Sequence, residues 1–500
     1  MTHAVDHGPL LDALRQALGE AAVRCPTATE PLLGHLQDWR QRYRGQAIAV
    51  VFPSCTDDIA RAVQLCADHG IGIVPQGGNT SLVGGSVPDD SGNQIVLSLQ
   101  RMNRVLGIDP LNLSMTVEAG CLLASVQAAA DAHGLLFPLS LASEGSCTIG
   151  GVLATNAGGT QVLRYGMARD LCLGLEVVTA QGEVWRNLKG LRKDNSGYDL
   201  RDLVIGSEGT LGIVTTASLK LFPKPRSRVA SLLRCPSAGA AVRLLQLARV
   251  SLDAELTGLE AMHTCPVALT QRHLPALAAV AAPLMAGHVL DTSRPHDRAS
   301  TEGMADEAWL VLLDAASPRD ETALSDTVSS LLLQAQAEGL IEGALVSHSE
   351  AQYRAMWALR EAIPMAEKLE GLMVKHDVGV PSSRIPDFLR ATVPALQAAF
   401  PGCRVVCFGH LGDGNLHFNV QAPPELDPMA FMAAHEDAVN AITYAQVQAF
   451  GGTIAAEHGI GRLKREALGS HQSPVATQWM RALKNALDPQ HTLNPRRLVP

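Results

Sequence analysis

Gln76-Gly77-Gly78-Asn79-Thr80-Ser81-Leu82-Val83-Gly84-Gly85 sets four glycines and three small polar residues directly after an apolar run. Such a loop lets backbone N–H groups turn toward a pyrophosphate and approach it closely, with Asn79, Thr80 and Ser81 adding neutral hydrogen bonds. Alone, it equally describes a glycine-rich surface turn. What precedes it narrows the choice. Ala47 to Phe52 is a compact apolar run suited to a buried strand. Thr56-Asp57-Asp58-Ile59 opens a helix with a capping threonine and early acids, and Ile71 to Pro75 is a second short strand. The loop therefore closes a β-α-β unit.

Two more segments share its character. Pro138 to Gly159 gathers glycine, serine and threonine around hardly any bulk, and Gly206-Ser207-Glu208-Gly209-Thr210-Leu211-Gly212 follows. Neither has the G-x-G-x-x-G spacing of a nicotinamide-binding turn, so that fold is disfavoured. Three stretches open to close backbone approach point to a long cofactor lying across one domain.

With 500 residues, 47% hydrophobic and 18% charged, the chain can fill two or three packed domains. A net charge of −9 and the lack of Lys/Arg blocks argue against nucleic acid. The longest apolar run, Leu274 to Leu290, is broken by Pro275, Pro283 and His288, short of the roughly 20 residues of a membrane span. At the N-terminus His3, Asp6, His7 and Asp12 replace the cationic start of a signal peptide, leaving an ordinary amphipathic segment. Ten cysteines stand as singles. No disulfide framework is expected, and a reducing cytoplasm is.

Farther on, Arg404 to Val420 reads as a hairpin about Asp413-Gly414, the dipeptide of a type I′ turn. That turn would set His410 opposite His417, close enough for one ion, with Asn419 on the same face. A catalytic zinc site wants a third protein ligand. Glu457-His458 offers it: adjacent residues on an extended backbone cannot both face one ion, so Glu457 is assigned to the metal and His458 to proton transfer. The competing reading is two satisfied core histidines and a solvated acid.

In combination these motifs resemble the FAD-linked oxidases of the vanillyl-alcohol oxidase superfamily. The loop at 77–85 is similar to their pyrophosphate loop. Residues 144–151 with 156–159 resemble the second FAD segment, and Asp194-Asn195-Ser196-Gly197-Tyr198-Asp199 and 206–212 the third and fourth. The resemblance runs from about residue 45 to the end. It implies an α+β fold: a two-lobed FAD-binding domain over 1–227, an antiparallel-sheet cap over 228–455, and a segment, 456–500, returning to the FAD domain. The cofactor contacts it implies are Pro75, Gln76, Gly77, Gly78, Asn79, Thr80, Ser81, Gly84 and Gly85 on the first loop. On the second they are Pro138, Glu144, Gly145, Ser146, Thr148, Ile149, Gly150, Gly151, Ala154, Thr155, Asn156, Gly158 and Gly159. Tyr165, Glu208, Gly209, Gly212, Ile213 and Asn494 complete the set. Asn79 stands where relatives that tether FAD carry histidine, so non-covalent FAD is implied.

The hairpin and Glu457-His458 narrow the resemblance to the D-2-hydroxyglutarate and FAD-dependent D-lactate dehydrogenase branch. It implies zinc, or another divalent transition metal, on His410, His417 and Glu457, and substrate contacts from Asn419 and His458. Within the cap, 289–306 reads as a surface loop, Trp309 to Asp314 as a strand, and a helix through Tyr353, Met356, Trp357 and Arg360 as interrupted at Pro364 before a strand from Met373 to Val378. Arg360 and Lys375 resemble the family's carboxylate clamp; a solvated helix arginine and an edge lysine are the alternative. Pro364 departs from a hydroxyl donor in the hydroxyglutarate enzymes, and Arg496 replaces a family glycine. The implied reaction takes hydride from C2 of a D-2-hydroxy acid, D-2-hydroxyglutarate favoured, to flavin N5, with His458 as base. Electron-transfer flavoprotein, quinone or cytochrome would accept the electrons, and a homodimer is expected. The rivals are a D-lactate or glycolate dehydrogenase or oxidase with the same machinery, and a flavin-free metal-binding protein.

Overall fold

Val50–Val51 and Gly72–Gln76 both pair in parallel with Gln94–Ser98, which lies between them in the sheet. The helix Thr56–Asp68 connects the two outer strands and buries Ile59, Ala62, Val63 and Cys66, one face at helical spacing. Its cap position falls on Cys55; the Thr56 hydroxyl donates instead to Glu176 at 2.5 Å. The expected β-α-β unit is present, with a later strand inserted in its middle.

The computed structural model describes residues 6–285 and 303–500. Its contacts divide the chain into two units. The first holds the residues up to Gly159, Gly166–Lys224 and Glu457–Pro500, and the second holds Thr160–Tyr165 and Pro225–Ala456. A single boundary at 227 would have left 160–165 in the first unit. Beside the four-stranded sheet, the first unit carries an antiparallel sheet ordered Val105–Asp109, Ser114–Glu118, Ile213–Lys220, Cys172–Val178, Val184–Asn187. The last residues are woven into this unit. Ile73 donates to the Thr492 carbonyl and receives the Asn494 N–H. Lys484, buried, reaches Asp488 and the carbonyls of Thr210 and Leu493.

The second unit is built on a seven-stranded antiparallel sheet. From edge to edge its strands are Gly343–Val346, Ser227–Cys235, Trp309–Ser317, Leu256–His263, Arg404–His410, Asn415–Gln421 and Met373–Gly379. Met356, Leu359 and Ile363 of the helix Glu350–Glu370 pack on Met262, Leu310, Leu312 and Phe408. That helix runs unbroken through Pro364, against the expected interruption. Proline removes one N–H bond, to the Arg360 carbonyl, at a cost of about 3 kcal/mol. Burial of three large apolar side chains on the sheet, at about 1.5–3 kcal/mol each, outweighs it. The expected surface loop at 289–306 lies outside the described residues except for its last four, where Met304 and Ala305 are buried. Among the described residues no helix is long and apolar enough to cross a membrane.

Candidate active site

In the first unit the glycine loop is pressed against the second small-residue segment. A Cβ on Gly77 would collide with Thr148 Oγ1, and one on Gly78 with the Ser146 carbonyl. Only glycine allows this approach. A cleft of about 590 Å³ is lined here by Gly77, Gly78, Asn79, Ser146 and Thr148, with His35 and Gln76. Of the side chains lining it, Thr148 Oγ1 is buried with no hydrogen-bond partner among the described residues. An orphaned polar atom costs about 1–3 kcal/mol. A ligand rich in phosphate, ribose and ring carbonyl groups relieves that cost, so the residues fit FAD.

Several expected cofactor contacts turn out to have other partners. Asn79, at φ +53°, donates to the carbonyls of Gly34 and Gln37 and accepts from Ser86. Gln76 holds Ser86 and His35. Asn156 accepts the Arg169 N–H, and Ser81 Oγ accepts from Val83 and Gly85. Glu208 takes the N–H groups of Ile460 and Gly461 at 2.7 and 2.8 Å, while burial pushes its carboxyl above the usual range. These side chains fix the loops, leaving backbone and small residues toward a ligand. Tyr165 belongs to the second unit. The 194–199 segment is exposed, Tyr198 at 96%, and Asp199 caps the helix Leu200–Val204. Arg496 keeps a left-handed turn, φ +60°, without glycine.

The second unit carries a different kind of site. The hairpin forms, but two residues out of the expected register: Asn415 is opposite His410, and Phe408 opposite His417. Gly414 alone takes a positive φ, +86°, and its N–H bonds the His410 carbonyl. Asp413 does not join it, so the loop is four residues long and not a type I′ turn. A shift of two preserves the faces. His410, His417 and Asn419 still share one side, and Leu416, Phe418 and Val420 are buried on the other. The two imidazoles are diagonal neighbours, ring centroids 5.7 Å apart, with a nitrogen of each within 4.8 Å of the other.

Around them lie charges from distant parts of the chain. Glu260, 1% exposed, accepts His410 Nδ1 at 2.7 Å and Arg360 Nε at 2.8 Å. Burial would raise its carboxyl, but His410 and Arg360 prevail and hold it below the ordinary range. With Nδ1 donating, His410 presents Nε2 as its lone-pair nitrogen, the arrangement metal-binding histidines use. The Arg360 guanidinium stacks 4.8 Å from the Phe408 ring. Among the described residues its two terminal nitrogens have no acceptor, so its fork stays available to a carboxylate. Lys375 Nζ meets Glu367 at 2.8 Å, and Asn419 Nδ2 meets the other oxygen of the same carboxylate at 2.6 Å. Asp377, directly opposite His417, brings an oxygen within 4.8 Å of its ring and accepts from Asn415. Glu457 and His458 follow on Ala456, the last residue of this unit.

Sequence reading assigned the cations and histidines but missed Glu260, Glu367 and Asp377. Two signals were available. Glu260 stands in an otherwise apolar strand, Leu259-Glu260-Ala261-Met262, and Glu367 follows Arg360 by seven residues, two turns along one helix face.

A glycine-lined cleft in one unit and an antiparallel sheet bearing cations and histidines in the other fit an FAD-dependent oxidoreductase, the class to which the family matches assign the chain. Residues 47–187 match the FAD binding domain family, and 224–498 match the C-terminal domain of FAD linked oxidases. The chain belongs to the FAD-linked oxidases. It is 34% identical over 494 residues to the mitochondrial D-2-hydroxyglutarate dehydrogenase of Bos taurus, covering 98% of this chain and 83% of the relative. It is 36% identical to the D-2-hydroxyglutarate dehydrogenase of Xanthomonas citri pv. viticola, covering 98% and 97%. Among solved structures it is similar to p-cresol methylhydroxylase, TM-score 0.74 at 16% identity over 98% of this chain and 96% of the other. Alkyldihydroxyacetonephosphate synthase gives TM-score 0.71 at 16% over 99% and 86%. These likenesses bear out the expected vanillyl-alcohol oxidase fold.

Proposed function

We propose that the protein oxidises a D-2-hydroxy acid to the 2-oxo acid, with D-2-hydroxyglutarate first among the candidates. The observation that carries this reading is the buried Arg360–Glu260–His410 chain, which aims a guanidinium fork and an oriented imidazole from one sheet face. Arg360 would grip a carboxylate, Asn419 would bond the acid, and His458 would take the hydroxyl proton. Bound FAD supplies the hydride acceptor, at N5. A divalent ion such as zinc would fit His410 Nε2 and His417, and as a Lewis acid would make the hydroxyl easier to deprotonate. Glu457 is proposed as the third ligand. The Gly379–Thr453 bridge holds the chain on the second unit, and four residues beyond it span at most about 14 Å.

The names of the relatives support the choice of substrate. Reoxidation by electron-transfer flavoprotein, a quinone or a cytochrome, a homodimeric assembly and a cytoplasmic location belong to the same proposal. A second reading, D-lactate or glycolate as substrate, is favoured by Pro364, which offers no hydroxyl to a distal group. The test is anaerobic bleaching of the flavin by the D and L forms of 2-hydroxyglutarate, malate and lactate, with glycolate alongside. Bleaching by D forms alone supports the proposal; no bleaching by any D acid refutes it.

A further inference from the structure

Lys375, the other half of the expected carboxylate clamp, would be the cation to meet a second acidic group on the substrate, and it is already paired. Its partner, Glu367, is 1% exposed, while the Lys375 side chain is 31% exposed. Glu367 also holds Asn419, so one carboxylate joins two of the groups expected to touch the acid. Arg360 and Glu367 lie on the same face of the helix Glu350–Glu370, about 10 Å apart along its axis at 1.5 Å per residue. Between them, on that face, stands Pro364, which has no hydroxyl or N–H to offer.

We infer that Glu367 is a specificity-determining residue that makes the distal end of the substrate site nearly indifferent to charge. This rests on the D-2-hydroxy acid reading above and names the substrate class more closely. A second carboxylate arriving at Lys375 finds a cation whose charge an internal anion balances, and the two carboxylates repel each other. An acid of the same length with an uncharged end meets no such opposition. The site therefore accepts D-2-hydroxy acids with either ending, where an unbalanced lysine would select the dianion. Asn419 is held in place by the same carboxylate, so its position does not depend on the distal group.

The experiment compares kcat/KM for D-2-hydroxyglutarate and for D-2-hydroxyvalerate, the same carbon chain without the second carboxylate, using the holoenzyme and a dye acceptor. In the wild-type protein the ratio is expected to fall within about tenfold of unity. Glu367→Gln keeps the shape and an oxygen for Asn419 but releases the Lys375 charge, and should raise the ratio at least about tenfold toward the dianion. A merely structural role would lower both rates together and leave the ratio unmoved. A wild-type preference for the dianion of about a hundredfold or more, or an unchanged ratio in Glu367→Gln, overturns the inference. The wild-type comparison stands by itself if the variant does not fold. Failure of both acids to reduce the flavin would instead count against the D-2-hydroxy acid reading.

Discussion

One chain builds two ligand-facing regions by opposite means. In the first unit the site is made by leaving side chains out: Gly77 and Gly78 permit a backbone contact that any Cβ would block, and polar side chains such as Asn79 and Glu208 serve the loops themselves. In the second unit the site is made by side chains, with buried carboxylates at 260 and 367 each holding two partners. The difference teaches where each is fragile. A backbone site fails on the addition of one methyl group, whereas a charge network fails on the loss of one charge.

The largest expected effect therefore falls on the glycine loop. Gly78→Ala drives a Cβ into the Ser146 carbonyl, and the purified variant should lose at least about nine-tenths of its flavin absorbance. Full flavin content would mean that the loops part easily and that the contrast is overdrawn.

Next comes the network. Glu260→Gln cannot balance both Arg360 and His410, and outer partners of this kind are worth about 10–100-fold in metal affinity. Competition with a chromophoric chelator should show a loss in that range with flavin content unchanged. Equal loss of flavin would show that the two regions are not separable.

Glu370 gives a smaller effect, and one that depends on pH. It accepts from Arg272, His273 and Arg404, and although burial raises its carboxyl, Arg404 and His273 lead the contacts that hold it below the usual range. A carboxyl that titrates lower when folded stabilises fully above its unfolded value, near 4.3, and loses that contribution as pH falls through the folded one. Glu370→Gln should cost about 3 kcal/mol at neutral pH. The gap in Tm between variant and wild type should narrow as pH falls below about 4; a gap constant with pH would refute the charge account.

The smallest effect returns to backbone. Arg496, exposed at φ +60°, occupies a conformation glycine adopts freely. Arg496→Gly should stabilise by about 0.5–1 kcal/mol in urea unfolding.

The same contrast explains what could be read from sequence. Each glycine loop is continuous in the chain, so its motif could be quoted whole, and the fold followed from the family resemblance that the motifs carry together. The hairpin was legible as a hairpin, and its faces survived the error because the register slipped by two. The turn itself was misjudged because Asp413-Gly414 admits several loop lengths, and contacts outside the hairpin select one: a Cβ on Gly414 would strike the Val380 carbonyl. The network was not legible, since Glu260 lies 150 residues from His410 and 100 from Arg360. Strand order brings them together, and no local pattern announces it. Pro364 misled for a related reason, because the packing that carries the helix through it comes from strands far away in sequence.

The central claim, that clustered imidazoles seat an ion which the oxidation needs, is tested most directly by anaerobic flavin bleaching with D-2-hydroxyglutarate before and after chelation. The account predicts rapid bleaching in metal-replete protein, a fall of at least about a hundredfold once elemental analysis shows the metal gone, and recovery on adding zinc. Undiminished bleaching in metal-free protein would contradict it.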